Sequence, residues 1–131
     1  MDGYHYDLEM HTVHEAKEDP GTVDGISHAA VGILFDAKYF TAKLSWAEQQ
    51  VIDNFFDSMK WDDVTGEPQV DVVNYGVLMT MVDFNNRYTY RGSVTTPPCH
   101  RYVHWNVLST VYPIQQKHID QFKSQMARNT V

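Results

Sequence analysis

The stretch Tyr90-Arg91-Gly92-Ser93-Val94-Thr95-Thr96-Pro97-Pro98-Cys99 constrains this chain more than any other. Gly92 permits a close backbone approach or a positive φ. Pro97 and Pro98 remove two backbone donors and fix two φ angles. They also push Thr96 toward extended geometry. The product is a stiff loop that holds two hydroxyl side chains, Thr95 and Thr96, in a fixed pose. Rigidity of that kind suits a turn between strands. It also suits a site where a hydroxyl must meet a reacting atom without reorganising.

The rest of the chain supports a folded domain built around such a loop. Its 131 residues fit one domain, and 43% hydrophobic content is enough for a core. A formal net charge of −7 excludes the basic footprint of a nucleic-acid binder. No apolar run approaches the roughly 20 residues of a membrane span. The first residues lack the basic and apolar regions of a signal peptide. Cys99 is the one cysteine, so no internal disulfide can form.

Residues 6–14 alternate, with Glu9, His11 and Val13 on one strand face and Met10, Thr12 and His14 on the other. Residues 15–25 are acidic and carry Pro20-Gly21 and Asp24-Gly25, which predicts a loop. The apolar run Ala29–Phe35 predicts a buried strand. Ser45-Trp46-Ala47-Glu48 has capping-box form. After it, Ile52, Phe55, Phe56 and Met59 recur at helical spacing, so a helix is predicted from about Ser45 to Met59. Residues 61–69 predict an acidic loop around Gly66 and Pro68, and the β-branched run Val70–Phe84 predicts extended pieces. Tyr102–Val111 alternates as a strand. Gln115–Met126 predicts a helix with Ile119, Phe122 and Met126 on its packing side.

Two of these stretches carry a resemblance. Tyr-x-Gly-Ser-Val-Thr-Thr-Pro-Pro-Cys, followed by Val103-His104-Trp105, resembles the signature loop and next strand of the α-class carbonic anhydrases. Glu9-Met10-His11-Thr12-Val13-His14 resembles that family's Glu-Leu-His-Leu-Val-His strand. The resemblance implies a single partial domain over residues 1–131. Its fold class would be mainly β with peripheral helices, on a large, mostly antiparallel mixed sheet. It implies zinc-dependent, reversible hydration of CO2 to bicarbonate, a carbonate dehydratase (lyase) reaction. A catalytic zinc takes three protein ligands and leaves one position for water.

Carried over by position, His11 matches the third zinc-ligand histidine. Glu9, on the same strand face, matches a carboxylate that contacts the non-ligating nitrogen of an active-site histidine. Thr95 matches the threonine that accepts a hydrogen bond from the zinc-bound hydroxide, and Thr96 matches a residue near bound bicarbonate. Val13, Ala30, Val94, Val103 and Trp105 match the apolar wall that suits an uncharged CO2 molecule. His14 matches a structural histidine. Arg101 stands where many family members carry a glutamate, and Glu15-Ala16 replaces a common Trp-Asn.

The resemblance also implies what these residues do not supply. The family's other two zinc ligands come from a His-x-His strand, and no His-x-His occurs in this sequence. The glutamate that accepts the threonine proton and the proton-shuttle histidine also precede the Glu-x-His strand. The expectation is a domain lacking its N-terminal segment, and its C-terminal end after Val131, with two of three zinc ligands missing and no activity alone. His5, His28, His100, His104 and His118 are substitutes on paper only, since arbitrary histidine spacing is weak grounds for a metal site. The alternative is a non-catalytic, carbonic-anhydrase-like binding or structural module. In secreted relatives a cysteine at the Cys99 position pairs with one near the N-terminus, so the resemblance leans toward a secreted or extracellular setting. Unpaired edges and an uncovered core face predict marginal stability or association.

Overall fold

A computed structural model describes residues 1, 3–17, 25–64, 69–70 and 72–129. Part of the acidic loop predicted over residues 15–25, with Pro20-Gly21 and Asp24, lies outside the described residues, as do Gly66 and Pro68. The elements run β1 (Leu8–Glu15), β2 (His28–Asp36), α1 (Trp46–Ser58), α2 (Tyr75–Met81), β3 (Arg87–Gly92), β4 (Val103–Pro113) and α3 (Gln116–Asn129). The four strands form one mixed sheet in the order β1-β2-β4-β3. β1 and β3 run antiparallel to their neighbours, and β2 and β4 pair in parallel. The register shifts between Gly32 and Leu34.

The parallel β2–β4 pair needs a long crossover, and α1, α2 and β3 all lie within it in sequence. The core sits on the helix side of the sheet. Ile33, Phe35, Leu108 and Tyr112 pack there with Ile52, Phe55 and Phe56 of α1, Leu78 of α2 and Ile119 of α3. Phe56 meets Phe35 edge-on at 5.0 Å between ring centroids. The capping box forms as predicted: the Ser45 hydroxyl accepts from the Glu48 amide, and the Glu48 carboxylate accepts from the Ser45 amide. The Ser45 amide and hydroxyl both donate to the Glu48 carboxylate, and these two hydrogen bonds hold its carboxyl below the usual range, favouring the charged form at the helix N-terminus.

Two predictions fail. Residues 70–84 are not all extended, because Tyr75–Met81 is helical. Tyr75, Leu78, Met79 and Val82 recur at i, i+3, i+4 and i+7 and all pack against the core. That period outweighs the β-branched composition of the run. In α3 the packing side is turned from the predicted one. Ile119 is buried and Phe122 packs on Trp61, but Met126 is 56% exposed. Gln125 takes the inward place and donates to the Trp61 carbonyl at 3.0 Å. No helix among the described residues is long and apolar enough to cross a membrane.

Candidate functional site

The opposite face of the sheet carries the predicted site. Cross-strand register places side chains on it in rows, since directly opposed residues share a face. One row is Val13–Ala30–Trp105–Tyr90, and the next is His11–Gly32–Val107–Tyr88. Gly32 offers no side chain beside His11. The His11 ring meets Trp105 in the neighbouring row, edge-on at 4.7 Å. A Cβ on Gly32 would lie 3.4 Å from the Glu9 carboxylate and 3.5 Å from Val107, which are ordinary contact distances.

Glu9 and His11 are two residues apart on one strand and therefore share this face. His11 Nε2 donates to Glu9 Oε1 at 2.7 Å. A carboxylate can only accept, so the bond places the proton on Nε2 and leaves Nδ1 with its lone pair. The pair is partly exposed, with side-chain accessibilities of 33% for His11 and 48% for Glu9. At that exposure its value lies in orientation rather than stability.

The loop after β3 faces the same space. The Val94 amide donates to the His100 carbonyl at 3.0 Å, and the Cys99 amide to the Thr96 carbonyl at 2.9 Å. The Pro97–Pro98 peptide bond is cis, and Cys99 takes a positive φ of 58°. The Trp105 indole donates to the Ser93 carbonyl at 3.0 Å, tying the loop to β4. Gly92 serves a close approach and not a positive φ. A Cβ there would lie 2.8 Å from Trp105 Cδ1 and 3.0 Å from Tyr90 Cε2. Tyr90 and Trp105 lie nearly parallel, 6.2 Å apart with 9° between planes.

These parts enclose an open cavity of about 690 Å³, lined among others by Glu9, His11, Tyr90, Thr95, Arg101 and Trp105. Among the described residues the Thr95 hydroxyl has no hydrogen-bond acceptor. Ala30, Val103 and Trp105 form a separate buried cluster, with Val94 packed against it. Thr96 is exposed and does not line the cavity. Val13 shares the face but is 63% exposed. His14 and His104 lie on the other face. Sequence reasoning did not single out Tyr90 as a wall of this cavity. The signal was there: an aromatic two residues before a glycine lands on the glycine's own strand face.

The residues present fit zinc only in part. His11 Nδ1 suits one coordination position, and the Glu9 contact is the kind that orients a ligating imidazole. Among the described residues no three His, Cys, Asp or Glu side chains converge to hold a metal ion. The chain's own residues thus hold one imidazole against a carboxylate, put one hydroxyl on the same cavity, and set Trp105 of a small apolar cluster in its wall.

The sequence model of the eukaryotic-type carbonic anhydrases matches residues 1–131. A carbonic anhydrase of Nostoc sp. is 28% identical over 129 residues, covering 98% of this chain and 43% of the relative. Dioscorin dioA3 of Dioscorea japonica is also 28% identical, over 134 residues, with 100% and 43% covered. The α-carbonic anhydrase of Photobacterium profundum shares the fold with a TM-score of 0.61 at 23% identity, over 95% of this chain and 49% of that one. A crystal structure of dioscorin complexed with ascorbate gives a TM-score of 0.58 at 24% identity, covering 95% and 46%. The chain spans less than half the length of these relatives. With the whole chain matched, and with a partial α-carbonic anhydrase fold on which the histidine strand and the threonine loop share one face, the chain belongs to the eukaryotic-type carbonic anhydrase family.

Proposed function

We propose that the whole protein catalyses reversible hydration of CO2 at a zinc ion and that this chain contributes one ligand and the threonine loop. The observation that carries this reading is the 2.7 Å bond from His11 Nε2 to Glu9, which leaves Nδ1 as the nitrogen for a metal, on a residue that lines the same cavity as Thr95. Zinc is the family's Lewis acid, and one imidazole does not hold it in a catalytic site. The 131 residues taken alone are therefore inactive in this reading, and two ligands come from a further segment of the same domain. Here Glu9 fixes the proton of His11, Thr95 presents a hydroxyl to the reacting centre, and Ala30, Val94, Val103 and Trp105 give CO2 a nonpolar wall.

A non-catalytic, carbonic-anhydrase-like binding module is the second reading. It is supported by the dioscorins, which stand at the same 28% identity as the Nostoc carbonic anhydrase and of which one is solved in complex with ascorbate. Stopped-flow CO2 hydration separates the two. The purified chain is assayed alone and after mixing with a segment of a relative that carries His-x-His. The expected result is no fast hydration alone, hydration after complementation, and its loss in His11→Ala. Fast hydration by the chain alone overturns the incomplete site. A complemented domain that takes up zinc at His11 and stays inactive favours the binding module.

A further inference from the structure

The helix-facing side of the sheet ends in a pair of imidazoles, separate from His11. The register sets His14 opposite Ala29, and Ala29 opposite His104. The three share one face, with the smallest chiral side chain in the middle. Neighbouring strands lie about 4.8 Å apart, so the two histidine Cα atoms straddle Ala29 at roughly 10 Å. Imidazoles leaning inward over a methyl group from that separation can meet on one ion, each about 2 Å from it.

A cavity of about 300 Å³ opens at this place, lined by His14, Glu15, His28, Ala29 and His104 among others. Three of the chain's seven histidines therefore border one small space. His28 is already engaged: its Nδ1 lies 2.8 Å from the Ser27 hydroxyl, and its ring packs on Tyr102 at 4.8 Å. The remaining two are not held. Among the described residues the His104 side chain has no hydrogen-bond or ion-pair partner. His14 Nε2 has only a 3.4 Å contact with the Thr12 hydroxyl, which itself accepts from Tyr75 at 2.9 Å. A contact of that length is easily exchanged for a metal bond.

We propose that His14 and His104 bind a divalent transition-metal ion across Ala29, on the face of the sheet opposite His11. Imidazole nitrogen suits zinc, copper and nickel. No third side chain converges among the described residues, so water completes the coordination shell. His14 is exposed and His104 half-buried, which leaves solvent access for that water. Arg91 stands opposite His104 in register, and its charge sets the affinity below that of a three-histidine site. The ion cross-links β1 to β4 over β2, and it stabilises the chain by binding the folded state alone.

The test is a titration of the full 131-residue chain with Zn2+, followed by imidazole 1H–15N resonances. The His14 and His104 rings should shift together at one equivalent. His14→Gln and His104→Gln should each weaken binding at least tenfold. Ala29→Val keeps both imidazoles and fills the gap between them, and it should weaken binding similarly while far-UV circular dichroism stays that of the parent. Stationary His14 and His104 resonances, or affinity within threefold of the parent in either histidine variant, would overturn the proposal. So would zinc uptake at His11 alone, which leaves the proposed CO2 chemistry untouched.

Discussion

The two faces of the sheet come from the same four strands and behave differently. On the helix side, Ile33, Phe35, Leu108 and Tyr112 are sealed under α1, α2 and α3. On the other side, Val13 is 63%, Tyr88 54% and Tyr90 51% exposed, and among the described residues the buried cluster is Ala30, Val103 and Trp105. One face is a packed core, and the other carries an open cavity. What separates them is cover. Apolar side chains alternate to both faces, but the helices among the described residues cover only one. Stability should therefore reside on the helix side, and chemistry on the open side.

The largest effect expected is at the sealed face. Phe56 is buried and touches Phe35, Phe55, Trp61 and His118 through ring contacts. Phe56→Ala should cost about 3–5 kcal/mol in denaturant unfolding, by lost transfer energy and an unfilled cavity. A loss below about 1 kcal/mol would mean that the helix layer is not packed as described. Next comes the one tight junction on the open face. Gly92→Ala puts a methyl 2.8 Å from the Trp105 ring and should cost about 1–3 kcal/mol. It should also weaken the near-ultraviolet dichroism of Trp105, which the indole's bond to the Ser93 carbonyl now orients. Unchanged dichroism would show that the loop and indole are not coupled.

The sealed face was legible where one local rule decides the outcome. Ser45 and Glu48 announce the start of α1, and the spacing of Ile52, Phe55 and Phe56 announces its buried side. Residues 75–81 were not legible as helix, because Val70, Val72 and Val73 favour strand while the deciding fact is tertiary: Leu78 packs in the core. Met126 and Gln125 show the same limit at a single turn. A polar residue took the inward position because two carbonyls, of Trp61 and Asp63, were there to accept its amide. The open face was legible as motif rather than as pattern. Glu9, His11 and Thr95 stand together on one cavity, whereas alternation alone placed Val13 on that face without saying that it is 63% exposed.

A smaller effect, confined to acid pH, also belongs to the sealed face. His118 is fully buried in the first turn of α3, and among the described residues neither ring nitrogen has a hydrogen-bond partner. Burial holds its pKa below the usual imidazole range. Asp57 and Asp53, at 3.8 Å and 3.6 Å, pull it upward, and the Lys117 charge acts with burial. The unfolded chain takes up this proton near pH 6.5, and the folded chain takes it up only at lower pH. The unfolded state therefore holds more protons in that window, and stability falls as pH drops below about 6.5. Thermal unfolding from pH 7 downward should show that decline, and His118→Gln should flatten it. A parent protein that gains stability over the same window would mean that the two aspartates outweigh burial.

The smallest effect should come from Val13, and it bears most directly on what the open face is for. Val13→Ala removes two methyl groups that already face solvent, so unfolding free energy should change by no more than about 0.5 kcal/mol. The same change on Ile33, in the adjoining strand but turned to the helices, belongs to the class that costs about 2–5 kcal/mol. If Val13→Ala instead costs more than about 1 kcal/mol, the open face is covered in solution by something that buries Val13. Sedimentation at the same concentrations then tells whether the cover is another copy of the chain. If the cost is negligible alone but appears once a segment carrying His-x-His is added, the open face is the side on which the domain is completed. Val13 then passes from an exposed side chain to a wall of the CO2 pocket.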